Sequence, residues 1–300
     1  MQILILGAGG RLGGALTREY REKFDVVGLN HPQVDLARPE QVRDKLSPVA
    51  FDLLINCAAM TNVDLCESQR EQAFAINAEA PRLLVQICRE KKAKLIHFST
   101  DYVFDGEKGQ PYVETDRAKP ISVYGESKRA GEENVLAMQD RHLVVRVSWV
   151  FGPDRPSFID AMIKRAREEE EIDAVADKFS TPTYTRDIAE MLSRFFDVDV
   201  AGGILHFANS GQCSWQEYAQ HALDCCHASG VRLKAKTVDA LKLADMTRLR
   251  QGYGGQANWI ARRPRYSVLS TAKYAKLAGV TPRSWRDAVA DYIERSYSKK

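Results

Sequence analysis

Tyr124 and Lys128 stand four residues apart in the run Tyr124-Gly125-Glu126-Ser127-Lys128. Positions four apart share one face of a helix, so a phenol and an ammonium would project into the same space. Tyrosine ordinarily ionises near pH ~10. A neighbouring lysine cation favours the phenolate and brings the group toward acid–base chemistry at neutral pH. This spacing is common by chance, and a surface pair on an amphipathic helix would look the same. Ser99-Thr100-Asp101 supplies a further component, because it ends an apolar run. Ligands of open α/β sheets bind at the carboxyl ends of strands, and there the Thr100 hydroxyl could hydrogen-bond a substrate carbonyl.

A second group of residues could hold a dinucleotide. Gly7-Ala8-Gly9-Gly10-Arg11-Leu12-Gly13 follows the apolar run Gln2–Leu6 and precedes a helical stretch from Leu12 to Arg21. Glycines at positions 7, 10 and 13 permit a tight turn and let backbone N–H groups approach a pyrophosphate at a helix N-terminus. An NAD-selective site usually carries Asp or Glu at the end of the second strand, ~20 residues on. Leu29-Asn30-His31 has no carboxylate there. Arg11 is the candidate for a ribose phosphate, although a surface arginine at a helix start would look alike. NADPH is favoured, with NADH as the alternative. Asp35, in Val34-Asp35-Leu36, is placed at the adenine edge.

These groups need a scaffold. Gln2–Leu6, Val26–Leu29, Leu53–Cys57, Leu95–Ser99 and Leu143–Val147 are short and nearly continuous in aliphatic residues, as strands buried on both faces of a parallel sheet are. Helical patterns near 11–23, 39–47, 70–91 and 122–139 alternate with them, and Pro81 marks a break or a helix start in the third. The expected fold is α/β, a doubly wound parallel sheet of Rossmann type with a smaller helix-rich substrate lobe. Residues 1–150 are assigned to dinucleotide binding, with later sheet elements near 172–210 interleaved, and residues 151–300 mainly to the lobe. Helices are expected near 157–170, 185–196, 214–228 and 284–297, and a mobile loop at Arg248–Ala257.

Composition excludes several classes. Hydrophobic residues make up 44% of the 300, charged residues 28%, and the net charge is +3 with basic residues dispersed. That is a globular balance without a nucleic-acid-binding face. No apolar run approaches the ~20 residues of a membrane span. The N-terminus lacks a basic leader, so a cytoplasmic protein is expected. Cys57, Cys66, Cys88, Cys213, Cys225 and Cys226 form no metal-ligand spacing and read as reduced thiols, Cys57 and Cys88 within the core.

The glycine loop, strand-end Ser/Thr, tyrosine and lysine in this order resemble the extended short-chain dehydrogenase/reductase superfamily. Asn56-Cys57-Ala58-Ala59-Met60-Thr61-Asn62-Val63-Asp64, Ser99-Thr100-Asp101-Tyr102-Val103-Phe104-Asp105-Gly106, Arg146-Val147-Ser148-Trp149-Val150-Phe151-Gly152 and Cys213-Ser214-Trp215 narrow the resemblance to the dTDP-4-dehydrorhamnose reductase family. That resemblance implies reduction of a 4-keto deoxysugar carried on a deoxythymidine diphosphate. Thr100 would orient the keto oxygen, Tyr124 donate the proton, and Lys128 hold the nicotinamide ribose. Gly7, Gly10, Arg11, Leu12, Gly13, Asp35, Leu36, Ala58, Ala59, Thr61 and Asn77 would serve the cofactor or its supporting shell. Asp101, Tyr102 and Trp149 would contact the sugar, though Trp149 reads equally as a core aromatic. His97 and His206 read as packed histidines. The resemblance also implies magnesium at a contact between subunits of a homodimer, but no local motif would carry the ion.

Three features depart from the family pattern. Met60 stands where an aromatic residue is common, Lys178 where glutamine is common, and Met246–Ile260 replaces a short Pro-rich approach to Arg263-Pro264. Two other functions remain open on sequence, an epimerase or dehydratase acting on another nucleotide sugar and a non-catalytic regulatory subunit of the same fold. A dehydratase would need a carboxylate pair after Thr100, and only Asp101 is there.

Overall fold

Alternation within the apolar runs decides the architecture. In the computed structural model, which describes residues 1–137, 142–196, 203–246 and 260–298, six strands form one parallel sheet. They are β1 (Gln2–Leu6), β2 (Asp25–Leu29), β3 (Leu53–Asn56), β4 (Lys94–Thr100), β5 (Leu143–Val147) and β6 (Gly203–Phe207). The order across the sheet is β6-β5-β4-β3-β1-β2, and every pairing is parallel.

Successive side chains of these strands enter two different cores. Ile3, Ile5, Leu53, Ile55, Ile96, Phe98, Leu143 and Val145 face one side, with Leu16 and Leu192. Leu4, Leu6, Leu54, Leu95 and Val144 face the other, with Val42, Leu84 and Val135. A fully buried aliphatic side chain contributes about 1.5–3 kcal/mol, so neither face could be left to solvent. The doubly wound sheet expected from the sequence is present.

The later chain differs from expectation in detail. Of the described residues in the interval 172–210, only Gly203–Phe207 joins the central sheet, beside β5. Ile172–Val175 pairs instead with Val238–Leu241. Helices Phe158–Glu168, Trp215–Ala228 and Trp285–Tyr297 surround a separate aromatic-rich core containing Phe151, Tyr184, Tyr218, Trp285 and Tyr292. The expected helix over 70–91 is divided into Arg70–Phe74, a π-helical turn Ala75–Glu79 and Ala80–Glu90, with Pro81 in the first turn of the last. The expected loop Arg248–Ala257 lies outside the described residues. No described helix is long and apolar enough to cross a membrane.

Candidate active site

The strand ends and the first turn of two helices enclose one cavity of about 810 Å³, within the range of small-molecule sites. Helix α1 (Arg11–Tyr20) starts at its edge with Gly10 at the N-cap and no side chain capping it. Its first-turn N–H groups are therefore open to an anion. The glycines are sterically required. A Cβ at Gly13 would lie 2.2 Å from the Gly7 carbonyl oxygen, and Gly7 itself has φ +78°. At the far end of β2, the Asn30 side-chain oxygen is buried without a hydrogen-bond partner among the described residues and Asn30 lines the cavity. An amide there can accept from a ribose hydroxyl or, turned over, donate to a phosphate, whereas a carboxylate would repel the phosphate. These features fit a dinucleotide.

Gly7, Gly10, Leu12, Gly13, Asp35, Leu36, Ala58, Ala59 and Thr61 all line this cavity. Asp35 is engaged locally, accepting the Ala37 N–H at 3.0 Å and facing the Arg38 guanidinium at 3.4 Å. Arg11 also borders the cavity, but its guanidinium is committed elsewhere. It donates to the carbonyls of Val150 (3.3 Å), Arg155 (3.2 Å) and Pro156. These bonds tie α1 to the segment after β5, and a ribose phosphate at Arg11 would have to share the guanidinium with them. Arg155, unnoticed in the sequence, donates to the Gly9 carbonyl at 2.6 Å and lines the cavity instead.

Asn77 does not line the cavity. Its amide donates to the Met60 carbonyl and the Ser127 hydroxyl, each at 3.0 Å, and accepts the Met60 N–H at 2.9 Å. It thus fastens the loop after β3 to helix α2 (Val123–Leu136). The π-turn that carries Asn77 approaches α2 closely enough that a Cβ at Gly131 would lie 2.1 Å from the Asn77 carbonyl oxygen.

Thr100, Tyr124 and Lys128 converge on the cavity. Ser122 caps α2 by accepting the Gly125 N–H at 3.3 Å, which sets Tyr124 in the first turn. Gly125 lets that turn press on the next loop, since a Cβ would lie 2.2 Å from the Tyr102 carbonyl oxygen. Beneath the site, Glu132 accepts from Arg146 Nε at 2.8 Å and Nη2 at 2.6 Å, and from Ser99 Oγ at 2.5 Å. Both ions are 2% exposed. This bidentate pair locks α2, β4 and β5 together.

Electrostatics correct one expectation. Burial raises the Tyr124 phenol above its ordinary value, opposed by a hydrogen bond with the Thr100 hydroxyl, and Lys128 is not among the influences on it. Burial also pulls Lys128 down to about 8. The lysine donates to the Phe98 carbonyl at 2.7 Å and lies 3.4 Å from His97 Nε2. His97 is therefore more than a packed histidine. Cys57 packs against the core, as expected, and also lines the cavity wall, and all six cysteines are free thiols.

On the sugar side, Tyr102 meets the Tyr124 ring edge to face at 5.7 Å. Trp149 combines both of its readings, lining the cavity while packing on Phe158, Trp215 and Tyr218. Its φ of +45° is a strained conformation for a tryptophan. Asp101 lines the cavity too, yet its carboxylate accepts from Thr100, Ser148, Ser180 and Ser267 at 2.5–3.3 Å. That carboxylate orients Thr100 rather than standing free for a sugar. Lys178, Ser180 and Trp215 complete the wall. Spacing could not have found them, because they sit on or beside two-residue strands. Among the described residues, no group of three or more His, Cys, Asp or Glu could hold a metal.

Comparison with known proteins gives a consistent result. The family model described as RmlD substrate binding domain matches residues 1–298. A dTDP-4-dehydrorhamnose reductase of Mycobacterium tuberculosis H37Rv is 38% identical over 296 residues, covering 96% of this chain and 91% of that protein. The spore coat polysaccharide biosynthesis protein SpsK of Bacillus subtilis is 34% identical over 298 residues, covering 99% and 98%. Among solved structures, the dTDP-4-dehydrorhamnose reductase of Bacillus anthracis in complex with NADP superposes with a TM-score of 0.87 at 30% identity, covering 98% and 99% of the two chains.

Proposed function

The chain belongs to the RmlD substrate binding domain family, and on that premise we propose that it is an NADPH-dependent nucleotide-sugar reductase. Its substrate is dTDP-4-dehydro-6-deoxy-L-mannose, whose 4-keto group it reduces to give dTDP-L-rhamnose. The observation that carries this reading is the convergence of Thr100, Tyr124 and Lys128 on one cavity that also takes in the glycine loop.

When bound, the nicotinamide cofactor supplies the hydride. The chain's own residues hold it, turn the ketone and deliver the proton. The open N-terminus of α1 takes the pyrophosphate, and Asn30 meets the adenosine ribose. Thr100, whose hydroxyl oxygen accepts the Tyr102 N–H (3.2 Å), turns its single proton from Asp101 to the keto oxygen when the substrate is bound. Tyr124 donates its proton to that oxygen as it becomes an alkoxide. The raised phenol suits this direction, since Tyr124 stays protonated and ready to give the proton up. Lys128, a cation below about pH 8, binds the nicotinamide ribose. Tyr102 and Trp149 flank the sugar.

NADPH rather than NADH is supported by the absence of a carboxylate at Asn30-His31 and by the NADP held in the Bacillus anthracis reductase. The test is NADPH oxidation by the purified chain on a panel of 4-keto nucleotide sugars. Turnover with the thymidine-linked 4-keto rhamnose precursor above all others is expected. Firm NADPH binding with no turnover on any of them would overturn the assignment.

A further inference from the structure

Lys178 is 2% exposed and lines the catalytic cavity. Its ammonium forms no hydrogen bond or ion pair with any described residue, although it has three donors to satisfy. What surrounds it is aromatic. The nitrogen lies 5.5 Å from the centre of the Tyr102 ring and 5.7 Å from that of Trp215. The nearby Asp101 carboxylate offers long-range attraction only, because its oxygens are taken by four hydroxyls. The side chains around it show its direction. Lys178 and Ser180 both face the cavity, while Phe179 between them turns to Tyr266. A buried cation with rings on two sides and no acceptor is penalised in the free chain, and the penalty shows as a Lys178 pulled down to about 8. An oxygen acceptor entering the cavity would remove it.

We propose that Lys178 determines substrate specificity by donating to an acceptor oxygen of the bound nucleotide sugar in the gap between Tyr102 and Trp215. The inference rests on the reductase reading above and adds to it a residue that the catalytic triad does not require. Two parts of such a ligand carry suitable oxygens, the diphosphate and the sugar ring, and the same experiment separates them.

Calorimetric titration of the wild-type chain and of Lys178→Gln, Lys178→Met and Lys178→Arg uses two probes, deoxythymidine diphosphate and dTDP-L-rhamnose. Both neutral variants are expected to bind dTDP-L-rhamnose at least tenfold more weakly, with Lys178→Arg within about threefold of wild type. Equal weakening toward deoxythymidine diphosphate assigns the contact to the diphosphate. An undiminished affinity for it assigns the contact to the sugar. Unchanged affinity for both probes in a folded Lys178→Gln or Lys178→Met protein would overturn the inference. Failure of the wild-type chain to bind either probe would instead overturn the reductase reading.

Discussion

His97 Nε2 lies 3.4 Å from the Lys128 ammonium nitrogen. The ring's tautomer follows from its other neighbour. Asn56 Oδ1 accepts the Ala58 N–H at 3.1 Å, which turns the Asn56 NH₂ toward His97 Nδ1, also at 3.1 Å. Nδ1 is then the acceptor and the proton resides on Nε2, facing the lysine. A donor aimed at an ammonium favours its neutral form and works in the same direction as burial.

The resulting pH dependence has a definite sign. Burial pulls Lys128 down to about 8, with Glu132 opposing, and the cation is the form that serves reduction. The value of kcat/KM is expected to be level below pH 8 and to fall about tenfold per unit above it. In Lys128→Arg the part of the fall due to this residue moves above pH 10, since a guanidinium stays charged, and only the smaller loss from Lys178, also pulled down to about 8, remains. A wild-type profile level to pH 9.5 would contradict the assignment.

Gly125 separates catalytic geometry from overall folding. A Cβ there meets the Tyr102 carbonyl oxygen at 2.2 Å and Pro120 Cβ at 2.9 Å. Gly125→Ala is expected to cost about 1–3 kcal/mol in urea denaturation. Displacing Tyr124 by about 1 Å should also lower kcat by roughly 10²-fold. A variant with wild-type kcat would show that the close approach does not set the phenol.

The Glu132–Arg146 pair predicts non-additivity. Removing one partner by Glu132→Gln or Arg146→Met leaves a buried charge poorly matched and should cost about 3–5 kcal/mol. The double variant Glu132→Gln/Arg146→Met should recover most of one single loss, as read by a double-mutant cycle in chemical denaturation. Strict additivity would mean that the two ions do not stabilise each other.

The end of β2 predicts the cofactor. With Asn30 rather than a carboxylate there, kcat/KM is expected to favour NADPH over NADH by at least tenfold. Comparing initial rates with each cofactor checks this, and equal values would remove the argument from Asn30-His31.

Much of this site was legible in the sequence because parallel strands impose continuous apolar runs and their ends must carry the ligands. Thr100 could be placed from that rule alone, and Tyr124 with Lys128 from helical spacing. Other features depend on contacts between segments far apart in the chain. Arg11 is captured by carbonyls about 140 residues away, and no local pattern announces it. Lys178 stands beside a strand of two residues, too short for periodicity to orient it. His97 looks like one more residue of a buried strand until Lys128 reaches it from α2. The phenol's raised value has the same origin, since burial is set by the assembled fold and spacing reports only proximity.

The most direct test of the account is the turnover of Tyr124→Phe. Wild-type chain and variant are compared for NADPH oxidation with dTDP-4-dehydro-6-deoxy-L-mannose, alongside NADPH affinity by fluorescence titration. The account predicts a kcat lowered by about 10²–10⁴-fold, with NADPH affinity within about twofold. A Tyr124→Phe protein that reduces the sugar at the wild-type rate would contradict it.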